Sequence, residues 1–376
     1  MRFVHTADWQ LGMTRHFLDA EAQARYTDAR LTAVRAIGTL AQAEKCSFIL
    51  VCGDVFESNQ LSARTVARAL DAMRVSPVPI YLLPGNHDPL DAASIYQSEE
   101  FRRRRPEQVR VIERPGTLTV GEGVEIVAAP WYSKRPVSDL VGDQLAELST
   151  APGVVRIVAG HGAVESVTYT GGSPATIRIG PLGAAVEGGL VHYVALGDRH
   201  SLTDVGLDGR VWYSGTPEVT DYDEQVPGQV LVVDVDVERC GVRPHQVGTW
   251  RFVEQPCHLN GAEDVDALGG WLAGLSDKER TVVKLVPVGT LGLREKVRLD
   301  ELLDEHRNLL AALQVSQGRS DLAVLPDDGD LGDLGLSGFA ATALAEIEQS
   351  ARSGGPGAAT AQDALGLLYR LTRGTR

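Results

Sequence analysis

The chain has 376 residues, 43% hydrophobic and 23% charged, with a formal net charge of −14 at pH 7. This is room for two domains and a large core; no apolar run approaches the roughly 20 residues of a membrane span, and the acidic balance excludes non-specific coating of nucleic acid through a broad basic surface. A nuclease stays within range, because divalent metal supplies local positive charge that a formal count omits. Cys46, Cys52, Cys240 and Cys257 lack close metal-binding spacing and read as reduced thiols of a cytoplasmic protein. Met1 to His5 enters a strand pattern with no export signal in view.

Arg2 to Thr6 is predicted as a strand running into Ala7-Asp8-Trp9-Gln10-Leu11-Gly12, and Ala20 to Glu44 as a long helix with Ala24, Leu31, Val34, Ile37 and Ala41 on one stripe. The central stretch comes next: a strand at Phe48 to Cys52, the turn Gly53-Asp54, an amphipathic segment Leu61 to Met73, a strand at Ile80 to Leu83, then Pro84-Gly85-Asn86-His87-Asp88. This is a βαβ unit. Continuous apolar runs suit parallel strands covered on both faces, and such sheets place ligands beyond the C-terminal strand edge. Gly53 and Gly85 allow sharp reversals that aim Asp54, and Asn86 with His87, into that crevice.

Ala92 to Phe101 reads as a helix ending in Arg102 to Arg105, a solvated end or a phosphate contact. Short alternating strands at Val109 to Glu113, Gly116 to Val120 and Val124 to Ala129 begin a second sheet with antiparallel character. Val154 to Ala159 then leads to Gly160-His161-Gly162, and His192 to Leu196 to Gly197-Asp198-Arg199-His200. Val211 to Ser214 precedes Gly215-Thr216-Pro217-Glu218; Gln229 to Val237 is a strand, and Gly241 to Phe252 is expected to close the sheet. No site role is given to His245 or His258. A helix near Val265 to Leu275, a strand at Thr281 to Val288, a helix from Leu299 to Leu313 and a strand near Leu322 to Leu325 suggest a compact second βαβ domain. Pro326 to Leu336 reads as an acidic linker before helices at Ala340 to Gln349 and Ala361 to Leu371, the last packing on its own domain or docking on a partner.

Six segments thus end in Asp8, Asp54, Asn86-His87, His161, Asp198 and His200, most of them directly after strands. No structural rule makes unrelated strands finish in metal-ligand side chains. A mixed Asp, His and Asn set suits Mn²⁺, Mg²⁺ or Fe²⁺, and two cations sharing Asp54 would serve hydrolysis of a phosphate ester.

In order and content these motifs resemble the calcineurin-like metallophosphoesterases. Within that family, His5-Thr6-Ala7-Asp8-Trp9-Gln10-Leu11-Gly12, Gly53-Asp54-Val55-Phe56 and Gly215-Thr216-Pro217-Glu218 resemble the SbcD-type DNA-repair exonucleases over roughly Met1 to Val237. The resemblance implies an α/β fold, a two-sheet sandwich flanked by helices over residues 1–245, with a small α/β capping domain at 246–325 and a linker with C-terminal helices at 326–376. It implies one metal held by Asp8, Gln10, Asp54 and His200, a second by Asp54, Asn86, His161 and Asp198, His87 acting on the scissile phosphate, and Asp88 orienting His87. It further implies Mn²⁺ as the metal, with Mg²⁺ or Fe²⁺ as alternatives, DNA as substrate, and a coiled-coil SbcC-like ATPase as partner; a homodimer is left open. Gln10 and Asp198 depart from the family pattern, which has histidine at both. A small-substrate phosphodiesterase or phosphatase, or a scaffold that binds DNA or the ATPase without cleaving, are the competing expectations.

Overall fold

The structure, a computed structural model, describes residues 1–167, 172–324, 338–353, 355 and 357–373. The expected linker at Pro326 to Leu336 lies outside the described residues, as do Gly354 and Pro356. Two compact units are formed, one of Met1–His16 and Gln23–Trp250, the other of Phe17–Ala22 and Arg251–Arg376.

In the first unit the elements run β1 (Arg2–Thr6), α1 (Ala20–Ala43), β2 (Ile49–Cys52), α2 (Ala63–Met73), β3 (Ile80–Leu83), α3 (Glu99–Arg104), β4 (Val109–Val111), β5 (Gly116–Gly121), β6 (Val124–Ala128), α4 (Leu140–Ala146), β7 (Val155–His161), α5 (Ile179–Glu187), β8 (Tyr193–Gly197), β9 (Thr203–Gly206), β10 (Val211–Tyr213), β11 (Gln229–Val235) and β12 (Cys240–Gln246). They build two mixed sheets, ordered β12-β11-β1-β2-β3-β4 and β5-β6-β7-β8-β10-β9. Strands β1 to β4 are mutually parallel, as are β6, β7, β8 and β10, with antiparallel strands at the edges.

The unbroken apolar strands are explained by two different coverings. Phe48, Leu50 and Cys52 pack toward Ile126, Ile157 and Tyr193 of the second sheet, and Phe3 stacks on Phe48 with ring centroids 5.0 Å apart. Ile49 and Val51 point the other way, against Leu31, Ile37, Leu70 and Met73 of α1 and α2. The outer face of the second sheet is covered by Val141 and Leu145 of α4 and Leu182 and Ala185 of α5. The result is an α/β sandwich of two sheets flanked by helices. Alternation persists inside each run, but both faces are dry, so neither face needs polar side chains.

Several elements differ from expectation. Ala92 to Phe101 is not one helix: a 3₁₀ turn at Ile95–Gln97 is separated from α3 by Ser98, whose extended backbone and hydroxyl cap α3 by accepting from Phe101 N. Helices α4 and α5 and the edge strand β9 had no clear periodic signal. Of Gly241 to Phe252, the part within β12 closes the first sheet at its edge, and Arg251 and Phe252 begin a further strand of the second unit. The chain leaves β12 at Val247 and Gly248, whose amides both reach Gly228 O, and Glu218 accepts from the amides of Thr249 and Trp250. This ties the chain as far as Trp250 to the first unit, five residues beyond the expected boundary at 245.

The second unit adds β13 (Arg251–Leu259), α6 (Ala262–Gly274), β14 (Thr281–Leu291), α7 (Leu293–Arg307), β15 (Ala312–Val315), β16 (Asp321–Val324), α8 (Phe339–Arg352) and α9 (Ala358–Arg373). β14 lies parallel to β13, β15 and β16, and its crossover helices bury Leu268, Leu272, Leu299 and Leu303 against Leu259, Val283 and Leu285. Leu365 of α9 is buried with Leu344, Ala351 and Leu293, so the last helix packs within this unit, while Leu367 is 52% exposed. Among the described residues no helix is long and apolar enough to cross a membrane.

Candidate metal centre

The parallel strands β1, β2, β3, β7 and β8 deliver Asp8, Asp54, Asn86, His161 and Asp198 to one end of the sandwich. Four candidate ligands, Asp8 (φ 52°), Gln10 (φ 47°), Asp54 (φ 52°) and Asp198 (φ 95°), sit at positive φ, a conformation that costs non-glycine residues on the order of 1 kcal/mol or more and clusters at functional sites. Backbone bonds fix the strained turns together: Asp8 N donates to Gly53 O at 3.1 Å and Gln10 N to Asp54 O at 3.0 Å. Gly85 is required by space, since a Cβ there would stand 2.3 Å from Asp54 Oδ1.

Asp54 is the hub. Its Oδ1 accepts from His87 N at 2.9 Å, its Oδ2 from Gln10 Nε2 at 3.1 Å, and His161 Nε2 lies 3.5 Å from Oδ1. His161 Nε2 is also 3.7 Å from Asp198 Oδ1, while its Nδ1 is held 2.9 Å from Cys52 O. Asp198 N donates to both oxygens of Asp8 at 3.1 Å. Ligand-type atoms of Asp8, Asp54 and His161 all fall within 4.8 Å of one another, and all three residues are buried. His200 is anchored through Nδ1, 2.6 Å from Thr220 Oγ1 and 3.1 Å from Glu224 Oε1, which leaves Nε2 as the nitrogen available to a metal; the compact group of ligand-type atoms is formed by Asp8, Asp54 and His161.

Burial pushes the Asp8 carboxyl up to about 7, against the pull of His200 and His161. Burial opposes charge on His161, but Asp54, Asp198 and Asp8 outweigh it and raise the imidazole to about 9; His200 is raised to about 9 against its burial by the Glu224 hydrogen bond and Asp8. The protein alone therefore answers its crowded carboxylates with protons. A divalent cation answers the same need more fully.

Two amides show the same preference. Gln10 Oε1 is buried with no hydrogen-bond partner, although its Nε2 is satisfied. One polar atom of the Asn86 amide lies 2.8 Å from His161 Nε2 and 3.0 and 2.9 Å from the two Asp54 oxygens. With NH₂ there, its two hydrogens serve the Asp54 carboxylate or a neutral His161 ring; with oxygen there, it takes the His161 Nε2 proton but faces the Asp54 oxygens acceptor to acceptor, an arrangement suited to a cation. The donor set, carboxylate, amide and imidazole without thiolate, fits Mn²⁺, Mg²⁺ or Fe²⁺ better than structural zinc.

His87 stands at the rim, its side chain 40% exposed, with Nε2 3.9 Å from Asp54 Oδ2. Its expected orienting partner is corrected by the structure. Asp88 turns away into the core, accepting from Gly85 N (2.8 Å), Phe56 N (3.0 Å) and Tyr96 Oη (2.6 Å), and the ring of His87 rests on Glu57 O through Nδ1 at 2.9 Å. Asp88 thus braces two ligand turns against each other. Burial, with Asp54 nearby, raises its carboxyl to about 6. Glu57, Tyr96, Thr220 and Glu224 were not read from the sequence as site residues; only Glu57, directly after Gly53-Asp54-Val55-Phe56, carried a positional hint.

Comparisons with known proteins place the chain in a family. The profile of the family described as calcineurin-like phosphoesterase matches residues 1–201. A stretch of 94 residues is 36% identical to the SbcD component of the nuclease SbcCD of Rhodobacter capsulatus, covering 24% of this chain and 22% of that protein. The chain therefore matches about a fifth of that relative's length. Among solved structures, TT1561 of Thermus thermophilus is similar at TM-score 0.41 and 12% identity, over 65% of this chain and 98% of that one. The purple acid phosphatase PPD1 of yellow lupin gives 0.38 and 13%, over 65% and 51%. A dimetal phosphatase from Danio rerio gives 0.38 and 11%, over 64% and 98%. The profile takes in 201 of 376 residues, from β1 through the turn that carries Asp198 and His200, and so the chain belongs to the calcineurin-like phosphoesterase family.

Proposed function

We propose that the chain is a two-metal phosphodiester hydrolase that cleaves DNA, of the SbcD type, in end processing and repair. The observation that carries the reading is the convergence of acceptors on Asp54, with Asp8, Asn86 and His161 around it, in a chain whose motifs resemble that branch. The 36% identity to a nuclease component supports the substrate class.

On this reading Asp8, Gln10, Asp54 and His200 would hold one cation, and Asp54, Asn86, His161 and Asp198 the other. When bound, the pair supplies positive charge to the phosphate oxygens and acidity to water, with Mn²⁺ the expected ion. His87 does the protein's share of proton work. With Nδ1–H donating to Glu57 O, Nε2 is directed to the Asp54 side of the rim, 3.9 Å from Oδ2; there the imidazolium gives its Nε2 proton to the departing oxygen and keeps the Nδ1 proton, or stabilises charge on that oxygen. Its exposure admits a bulky substrate. The second unit, Phe17–Ala22 with Arg251–Arg376, is taken to contain the capping module expected at 246–325 and the C-terminal helices after it, a coiled-coil ATPase is taken as a partner, and the four free cysteines as the mark of a cytoplasmic setting.

One observation favours a small substrate instead. The cavity of about 390 Å³ beside His200 is lined by Asp221, Asp223 and Glu224 as well as Arg15 and Arg199, a poor wall for a polyanion. Hydrolysis of linear duplex DNA with Mn²⁺ by wild type, lost in His87→Ala, supports the nuclease reading. Turnover of bis-p-nitrophenyl phosphate without any attack on DNA would leave the small-substrate enzyme, and metal binding without either activity would leave a scaffold.

A further inference from the structure

Trp131 ties an exposed segment directly to the metal centre. Its N donates to Pro84 O at 3.2 Å, its O accepts from Leu90 N at 2.8 Å, and its Nε1 donates to His161 O at 2.8 Å. The indole is buried and meets the His161 ring edge-on at 5.7 Å. The loops bearing Asn86-His87 and His161 are thereby fastened to the segment that begins at Tyr132.

That segment is Tyr132-Ser133-Lys134-Arg135, all exposed. Tyr132 keeps 45% of its surface open, yet its hydroxyl is pinned to Glu113 O at 2.7 Å, so the ring is held still instead of sweeping through solvent. Arg114 stands directly after Glu113, the residue that holds this hydroxyl. Among the described residues no carboxylate pairs with Arg114, Lys134 or Arg135, whereas Arg103 pairs with Glu100, Arg156 with Glu125 and Arg178 with Asp139. Arg114 and the Glu113 carboxylate both act on the Tyr132 hydroxyl, and Lys134 and Arg135 follow the ring directly in sequence, so three cations stand against one carboxylate here in a chain of net charge −14.

We propose that this rim captures an unpaired nucleic-acid strand: Tyr132 stacks a base, and Arg114, Lys134 and Arg135 take the flanking phosphates of the strand that reaches His87. The inference rests on the nuclease reading for its substrate, and adds to it the surface and the single-stranded form. Aromatic faces stack every base, and cations track the backbone, so such a rim selects unpaired strands without selecting sequence.

The test is fluorescence anisotropy of the full chain with a short phosphorothioate oligothymidine, together with turnover of bis-p-nitrophenyl phosphate. Tyr132→Ala is expected to weaken binding roughly tenfold to a hundredfold while Tyr132→Phe retains it. The double variant Lys134→Ala with Arg135→Ala should lower the slope of log affinity against log salt by about 1.4. Bis-p-nitrophenyl phosphate turnover should be unchanged in all three. Binding equal to wild type in Tyr132→Ala, or equal losses in Tyr132→Phe and Tyr132→Ala, overturns the proposal, the latter by showing that the hydroxyl tether carries the effect. Failure of wild type to cut any DNA while these binding differences persist would sink the nuclease reading and leave the rim standing.

Discussion

The amide of His87 donates to Asp54 Oδ1 at 2.9 Å, so the residue proposed to handle the leaving oxygen and the carboxylate proposed to be shared by two cations are fixed by one bond. Anything that moves Asp54 moves both. A cation bound only by the folded state stabilises it by about 2.7 kcal/mol at a hundredfold excess over Kd. For a unit of this size that is roughly 5–10 °C in Tm. We expect Mn²⁺ to raise Tm by this amount over EDTA in wild type and by little in Asp54→Asn, with metal content by mass spectrometry falling in parallel and activity dropping roughly a hundredfold or more. An Asp54→Asn protein with full metal content would show that the cluster is assembled around another residue.

Tyr96 and Asp88 make a separate prediction, because their 2.6 Å bond is buried in the core and links neither of them to a proposed ligand side chain. Hydrogen bonds to charged groups contribute about 1.5–3 kcal/mol, and Tyr96→Phe removes one without creating a cavity. Urea denaturation without metal should show a loss in that range, and Asp88→Ala a larger one, since the amides of Gly85 and Phe56 are then left without their acceptor. A Tyr96→Phe protein as stable as wild type would mean that Asp88 does not brace these turns.

The division between what could and could not be read in advance tracks the range of the interactions. Phe48 to Cys52 and Ile80 to Leu83 announced buried parallel strands through their own composition, and Gly53 and Gly85 announced the turns, because those signals are local. The supports of the site are not local. Glu224 reaches His200 from 24 positions away, Glu57 reaches His87 from 30, and neither stands in a periodic pattern. Asp88 misled for the same reason: adjacency to His87 suggested an orienting role, whereas the turn directs its carboxylate back to Gly85, Phe56 and Tyr96. Positive φ at Asp8, Gln10 and Asp54 was hidden as well, since nothing in an Asp or Gln codon marks strain.

Asp198 gives a prediction about metal choice. Its Oδ1 lies 3.7 Å from His161 Nε2, and its backbone at φ 95° is one that aspartate and histidine tolerate better than most residues. Asp198→His should therefore fold. It exchanges a hard oxygen for an imidazole nitrogen and removes one negative charge, which favours Zn²⁺ relative to Mn²⁺. Calorimetric titration should show the Zn²⁺ to Mn²⁺ affinity ratio rising about tenfold or more, the equivalent of roughly 1.4 kcal/mol. An unchanged ratio would place Asp198 outside the coordinating set.

His5 makes one part of the fold's stability sensitive to acid. It is wholly buried in β1, with Nδ1 2.9 Å from Tyr193 Oη and Nε2 3.1 Å from Leu196 O, a pairing satisfied by the neutral ring accepting at Nδ1 and donating at Nε2. Burial depresses its pKa from 6.5 to about 3, only partly offset by the Leu196 bond. Above pH 6.5 the ring is neutral in both folded and unfolded chains and contributes no pH dependence. As pH falls below that value the unfolded chain takes up a proton that the folded chain refuses until about pH 3, so stability declines with a slope of about 1.4 kcal/mol per pH unit. His5→Phe should be less stable than wild type at pH 7, because Tyr193 Oη and Leu196 O lose their partner. That deficit should shrink by about 2 kcal/mol at pH 5, because the variant has no proton to gain at this position. Urea unfolding of both proteins at the two pH values measures the difference, and a deficit that stays constant would mean that His5 is protonated within the folded core.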